Sequence, residues 1–260
     1  MQSPLLNVMT AAAIKAGKGL MRDFGEVDQL HISRKGASNF VTKSDIRTEK
    51  LLQKELSIAR PDFGFLMEEG GEIKGKDASQ RWIIDPLDGT SNFIHAIPYF
   101  CISIGLEKTD KNGNSEIIAG VIFDPIHNEL FTVEKGKGAQ VNGRKMQVSN
   151  REVLEEAMMV SGSPRSVPTH ADSIAKSGSI VRYFGASALD LAYLAAGRID
   201  ACWYYNIQPW DIAAGMLMVQ ESGGVFSNID GSKANIYSPA ILASNRLLYE
   251  GIQKNLAQKS

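Results

Sequence analysis

Leu5, Met9, Ala12, Ala13, Ala16, Leu20 and Phe24 recur at helical spacing while Lys15, Lys18 and Arg22 punctuate the other side, so residues 3–24 predict an amphipathic helix that Gly25 stops. Residues 34–39, with Gly36, Ser38 and Asn39, read as a polar loop carrying Lys35. Val41-Thr42-Lys43-Ser44-Asp45 then runs into a second helix, 45–59, which Ser44 or Asp45 can cap and Pro61 prevents from extending. Phe63 to Met67 is short, apolar and bounded by charge, the signature of a buried strand, and Glu68-Glu69-Gly70-Gly71 follows it. A second apolar run, Trp82-Ile83-Ile84, ends in the same way at Asp85. Tyr99 to Glu107, Ile117 to Asp124 and Glu129 to Val133 predict three more strands, with a turn at 110–114 and tight connections at Gly136, Gly138 and Asn142-Gly143.

From about residue 157 strands and helices alternate. The pattern predicts strands at 158–160, 180–184, 199–205 and 240–243, and helices at 169–177, 187–196, 211–222 and 245–257. A strand-rich, antiparallel α+β first part thus precedes an α/β second part. No Pro/Gly/Ser linker divides them, so the expectation is one domain over residues 1–260 with subregions of about 1–150 and 151–260.

Composition adds exclusions. Apolar residues are 43% and charged residues 22%, the balance of a globular protein with a sizeable core. A net charge of -1 supplies no long-range field for nucleic acid or an anionic membrane, so nucleic-acid binding is not expected. Lys15 and Lys18 interrupt the apolar N-terminal stretch, which argues against a signal peptide or membrane span. Two cysteines, Cys101 and Cys202, cannot make a disulfide framework and suit a reducing cytosol. A cytoplasmic protein is expected.

The candidate chemistry lies in Arg81 to Phe93. The apolar run meets two acids, Asp85 and Asp88, and then a Gly89-Thr90 pair that can open a helix, where backbone amides favour an anion. Two carboxylates beside a phosphate cradle repel the phosphate unless a divalent cation sits between them. Glu68 stands at a comparable strand end, and Asp211 starts a helix after Pro209-Trp210. An acid before an apolar helical run is commonly an N-cap, and that reading stands for Asp45 and Asp211 beside the functional one. If the four acids Glu68, Asp85, Asp88 and Asp211 converge, they would raise one another's pKa values, a conflict that Mg²⁺ resolves. The histidines are scattered without zinc-ligand spacing, and the chain has neither a Walker loop nor a Gly-x-Ser-x-Gly elbow. Haloacid-dehalogenase-type phosphatases separate their two aspartates by one residue, whereas two residues lie between Asp85 and Asp88.

Trp82-Ile83-Ile84-Asp85-Pro86-Leu87-Asp88-Gly89-Thr90-Ser91-Asn92-Phe93 resembles the central signature of the inositol monophosphatase family. Glu68-Glu69, Gly120-Val121-Ile122-Phe123-Asp124-Pro125, Gly136-Lys137-Gly138-Ala139 and Trp210-Asp211-Ile212-Ala213-Ala214-Gly215 fit in order, so the resemblance spans nearly the whole chain. It implies a layered α/β/α/β/α, sugar-phosphatase-like fold. It also implies two or three Mg²⁺ ions: Glu68, Asp85 and the Leu87 carbonyl on one, Asp85, Asp88 and Asp211 on a second, and Glu68 on a weaker third through water. Asp88 and the Gly89 and Thr90 amides would hold the phosphate, while Thr90 (paired with Asp45) and Glu68 would orient the attacking water. Lys35 would screen charge over the site. Inhibition by lithium or excess magnesium, and a homodimer, are further family expectations.

The same resemblance leaves the substrate open. The family usually places a glutamate seven positions before the residue matching Asp211, to contact sugar hydroxyls, and this chain has Tyr204 there. A phenol offers one hydrogen bond and no charge, and Tyr204 can equally be a strand aromatic within Cys202-Trp203-Tyr204-Tyr205. Gly185, Ala186, Ser187 and Asp211 are the other substrate-side candidates. The expected activity is Mg²⁺-dependent hydrolysis of inositol monophosphate or a related polyol or sugar phosphate. The alternatives are histidinol-phosphate hydrolysis on the same scaffold and a regulatory interaction protein that retains the fold.

Overall fold

The computed structural model describes residues 3–26, 32–36, 39–162 and 178–257. Helix α1 (Pro4–Phe24) and helix α2 (Lys43–Ala59) flank a hairpin of β1 (Ile32–Gly36) and β2 (Asn39–Thr42). Then come β3 (Phe63–Met67), β4 (Gly71–Ile73), β5 (Asp77–Asp88), the short helix α3 (Thr90–Ile94), β6 (Cys101–Thr109), β7 (Ser115–Asp124), β8 (Glu129–Glu134), β9 (Gly138–Val141) and β10 (Arg144–Lys145). The second part holds β11 (Met158–Ser161), β12 (Ile180–Arg182), α4 (Ser187–Ala195), β13 (Ala201–Tyr205), α5 (Pro209–Glu221), β14 (Val225–Asn228), β15 (Ala240–Ser244) and α6 (Tyr249–Ala257).

The first part makes an eight-stranded sheet in the order β10-β9-β8-β7-β6-β5-β3-β4, antiparallel except where β3 runs parallel to β5. The second makes a five-stranded sheet, β12-β11-β13-β15-β14, whose first three strands are parallel and last three antiparallel. Strand alternation explains the stacking. Trp82, Ile84, Ile102 and Ile104 pack with Met9, Leu20 and Leu52 under α1 and α2, whereas Ile83, Cys101 and Ile122 join Leu189, Leu191, Ile212 and Leu217 on the opposite face. Helices α4 and α5 therefore lie between the two sheets, and α6 covers the outer face of the small one through Leu248, Ile252 and Leu256. The order of layers is α/β/α/β/α.

That position explains α5. Every residue from Ile212 to Val219 is buried, as a helix covered on all sides requires. It lies close to the large sheet because the sheet offers glycines there: a Cβ on Gly105 would come within 3.0 Å of the Ala213 Cβ, and one on Gly120 within 2.9 Å of the Ala214 Cα.

Several sequence expectations need correction. Residues 34–36 and 39 belong to β1 and β2, so Lys35 sits in a strand and not in a loop. Helix α2 starts at Lys43 with Thr42 as its N-cap, because the Thr42 hydroxyl accepts from the Ser44 and Asp45 amides. Asp45 is its third residue, and its carboxylate accepts from the Thr42 amide at 2.9 Å. Helix α5 starts two residues before Asp211, with Pro209 in its first turn, where a missing N–H costs nothing. Helix α6 starts at Tyr249, not 245, after a turn in which the Asn245 side chain accepts from the Leu248 amide. The second part is less regular than the alternation implied, since β14, absent from the expectation, pairs antiparallel with β15. The helix expected at 169–177 lies outside the described residues. Among the described residues, no helix is long and apolar enough to cross a membrane.

Candidate active site

Strands β3 and β5 carry the backbones of the first two acids to neighbouring positions, while Glu68 is not one of the three acids whose carboxylate oxygens meet. Met67 pairs with Ile84, and the Glu68 amide donates to the Ile84 carbonyl at 3.2 Å, so Glu68, just past the end of β3, stands level with Asp85 on β5. Asp85 and Asp88, three residues apart, would face opposite sides of a regular strand. A bulge prevents this. Asp85 pairs with Ser103 and Asp88 with Cys101, so the chain advances three residues while its partner advances two, across Pro86, which has no amide to give the ladder. The Asp85 Oδ1 accepts from the Leu87 amide at 2.9 Å and holds the kink.

Asp211 arrives from the other side. It is the third residue of α5, its Oδ2 accepts from the Gln208 amide at 3.0 Å, and the glycine seat in the large sheet brings the start of this helix to the bulge. Asp85, Asp88 and Asp211 each present a carboxylate oxygen, and these atoms lie within 4.8 Å of one another. The Asp88 Oδ2 is fixed by the Ala188 amide of α4 at 2.7 Å and lies 3.8 Å from the Cys101 sulfur.

Among the described residues the site is dominated by negative charge. Burial, followed by the charges of Glu68, Asp88 and Asp211, pushes Asp85 well above the usual carboxylate range. Burial and Asp211 do the same to Asp88. Burial pushes Asp211 up to about 6 against the lowering hydrogen bonds from Gln208 and Asp85. Three inward-facing carboxylates, all oxygen donors and mutually repelling, fit a hard divalent cation such as Mg²⁺.

Beside them, Gly89 adopts φ 94°, a left-handed conformation natural to glycine, and opens α3 without a side-chain cap on its first turn. A Cβ there would meet the Tyr99 carbonyl at 2.9 Å and the Ala186 Cβ at 3.2 Å. The Thr90 Oγ1 lies 3.1 Å from the Asp45 Oδ1 and 3.0 Å from the Leu87 carbonyl. Asp45 is fully buried, and burial, partly offset by hydrogen bonds from Thr42 and Thr90, raises its pKa. Asp45 thus acts in the α2 capping box and touches the site with its other oxygen.

On the α4 side, Asn92 donates to the Tyr99 carbonyl at 2.8 Å and to the Phe184 carbonyl at 2.7 Å, which ties α3 to the segment holding Gly185 and Ala186; Ser187 is the first residue of α4. Tyr204 is 6% exposed, and its hydroxyl donates to the Asp190 Oδ2 at 2.5 Å, so the phenol is committed inside the protein. The Tyr99 hydroxyl donates to the Asp190 Oδ1 at 2.6 Å. The Lys35 side chain lies outside the described residues. Four contacts escaped the sequence reading: Cys101 against Asp88, Tyr99 and Asp190 behind Tyr204, and Glu49, whose Oε2 accepts from the Glu69 amide at 2.8 Å. Glu49 alone carried a signal, its spacing of one helical turn from Asp45.

Comparison with known proteins gives consistent likenesses. The model of the Inositol monophosphatase family matches residues 1–260. An inositol-1-monophosphatase from Caulobacter vibrioides is 47% identical over 257 residues, covering 95% of this chain and 99% of the relative. A Nus factor SuhB from Xylella fastidiosa is 42% identical over 241 residues, covering 90% of this chain and 85% of the relative. The crystal structure of the extragenic suppressor protein suhB from Bartonella henselae superposes with a TM-score of 0.94 at 44% identity, covering 99% of this chain and all of that one.

Proposed function

The chain belongs to the inositol monophosphatase family, and from that premise we propose that it is a Mg²⁺-dependent phosphomonoesterase that hydrolyses inositol monophosphate or a related polyol or sugar phosphate. The observation that carries this reading is the convergence of Asp85, Asp88 and Asp211 within 4.8 Å at the mouth of a helix start. Glu68, Asp85 and the Leu87 carbonyl would hold one ion, and Asp85, Asp88 and Asp211 a second, with Glu68 reaching a weaker third through water. Bound there, the ions would neutralise phosphate charge, lower the pKa of water and stabilise the departing alkoxide.

The residues divide the remaining work. The Gly89 and Thr90 amides cradle the phosphate, Asp88 would bind it only through a cation, and Gly185, Ala186 and Ser187 face the alcohol. Thr90 and Glu68 orient a water in line with the ester bond, and Asp45 takes the Thr90 hydroxyl proton as a hydrogen bond, leaving the Thr90 lone pairs to accept from that water. Water attacks phosphorus, the P–O bond to the alcohol breaks, one proton from the water ends on the departing alkoxide oxygen, and the alcohol and inorganic phosphate leave. A location in the cytoplasm, inhibition by lithium and a homodimer belong to the same proposal.

Phosphate release should be measured with inositol 1-phosphate, glycerol 2-phosphate, sugar phosphates and histidinol phosphate, each with Mg²⁺ and with EDTA. Release that EDTA abolishes, and that Asp88→Asn lowers by about 100-fold or more, is the expected result. No release from any of them would sink the reading. A regulatory role on the same fold is a second reading, supported by the relative that is a Nus factor. Partner capture by Asp88→Asn equal to that by the wild type would support it as a separate activity.

A further inference from the structure

Helix α2 carries two buried acids one turn apart, Asp45 fully buried and Glu49 5% exposed. Residues at this spacing share a helix face, and like charges there repel, so the pair needs a compensating use. Each acid reaches a different wall of the site. Asp45 accepts from the Thr90 hydroxyl at 3.1 Å, and Glu49 from the Glu69 amide at 2.8 Å.

The Glu69 amide is the peptide group directly after Glu68. The Glu68 amide is itself tied to the Ile84 carbonyl at 3.2 Å. With planar peptides, holding the N–H groups on both sides of one Cα restrains its backbone torsions, and with them the Cα–Cβ direction from which the side-chain torsions start. Glu49 therefore completes a clamp that β5 begins. Gly70 makes room for it, since a Cβ there would stand 2.9 Å from the Glu49 Oε1. A surface turn can leave such an amide to water, whereas a buried carboxylate acceptor gives a shorter, directional bond at the cost of desolvation.

We propose that Glu49 is a positioning residue that aims the Glu68 carboxylate into the site, so that α2 sets both Thr90 and Glu68 through two acids one turn apart. This rests on the proposed function for its catalytic consequence, though the geometry of the clamp can be read without turnover. Glu49 acts through the Glu69 amide.

The test uses the full chain with Glu49→Ala, Glu49→Gln and Gly70→Ala, and Mn²⁺ as the metal probe. Mn²⁺ binding is followed by electron paramagnetic resonance without substrate, and hydrogen exchange is followed in peptides covering residues 68–71. Glu49→Ala is expected to weaken Mn²⁺ binding and lower kcat by about 10-fold or more, with KM unchanged and faster exchange at 68–71. Glu49→Gln keeps an acceptor oxygen and should hold both quantities within about threefold of the wild type. Gly70→Ala, which crowds the Glu49 carboxylate, should shift Mn²⁺ binding in the same direction as Glu49→Ala, and it carries the test if Glu49→Ala does not fold. Unchanged Mn²⁺ affinity and exchange in Glu49→Ala, or an equal fall in Glu49→Gln, overturns the proposal. A wild type that binds Mn²⁺ but releases no phosphate defeats the functional reading alone, because binding and exchange still decide the role of Glu49.

Discussion

Thr90 has one hydroxyl proton and two acceptors within reach, the Asp45 Oδ1 at 3.1 Å and the Leu87 carbonyl at 3.0 Å. It can donate to only one of them. A carboxylate is the stronger acceptor, and donating to Asp45 leaves the Leu87 carbonyl free to face a cation. Thr90→Val keeps the shape and removes the hydroxyl. Its kcat should fall by about 100-fold or more, with Mn²⁺ affinity close to that of the wild type, and Thr90→Ser should recover most of the loss. Steady-state phosphate release beside a metal titration checks this, and equal turnover in Thr90→Val would remove Thr90 from the water-orienting role. Asp45 illustrates what single residues reveal in the sequence. Its position before a helical run fitted a cap, and its position before the main motif fitted a functional role. The structure has the two contacts on different oxygens, Oδ2 accepting from Thr42 and Oδ1 from Thr90.

At the level of elements, the site depends on one strand irregularity and one helix seat. The acidic residues of β5 were legible because an apolar run ended in them; the bulge that turns Asp85 and Asp88 to the same side was not, since it is a property of pairing with β6. The start of α5 was misplaced by two residues because Pro209 reads as a breaker although a first turn accepts it. Short strands such as β4, β10 and β14 escaped because pairing partners, not their own sequence, make them strands. The glycine seat of α5 is equally invisible in one dimension, as Gly105 and Gly120 meet Ala213 and Ala214 only after folding. Gly120→Val should lift α5 from the sheet. The expected outcome is a stability loss of about 1–3 kcal/mol in urea and a higher Mg²⁺ concentration for half-maximal activity, because Asp211 moves with the helix. A loss of stability with an unchanged Mg²⁺ requirement would show that the seat supports the fold and not the site.

Across the whole molecule, the two sheets are joined by buried polar contacts as well as by α4 and α5. Asp190 on α4 accepts from Tyr99, in the segment leading into β6 of the large sheet, and from Tyr204 on β13 of the small one. Burial pushes its pKa up to about 7, opposed by the two tyrosine hydrogen bonds. The sign of the consequence follows from linkage. The folded protein keeps a proton on Asp190 at pH values where the unfolded chain, with an ordinary carboxylate, has released it, so this group's contribution is fully present below pH ~4 and is lost as pH rises through about 7. Asparagine cannot titrate but can accept from one phenol and donate to the other. Urea unfolding of the wild type and Asp190→Asn in EDTA, from pH 5 to 8, separates this group from the acid cluster common to both. The stability of the wild type relative to Asp190→Asn should fall by on the order of a few kcal/mol across that range. If the two profiles run parallel, Asp190 does not titrate there, and its bonds to Tyr99 and Tyr204 hold the layers together with the carboxylate ionised throughout.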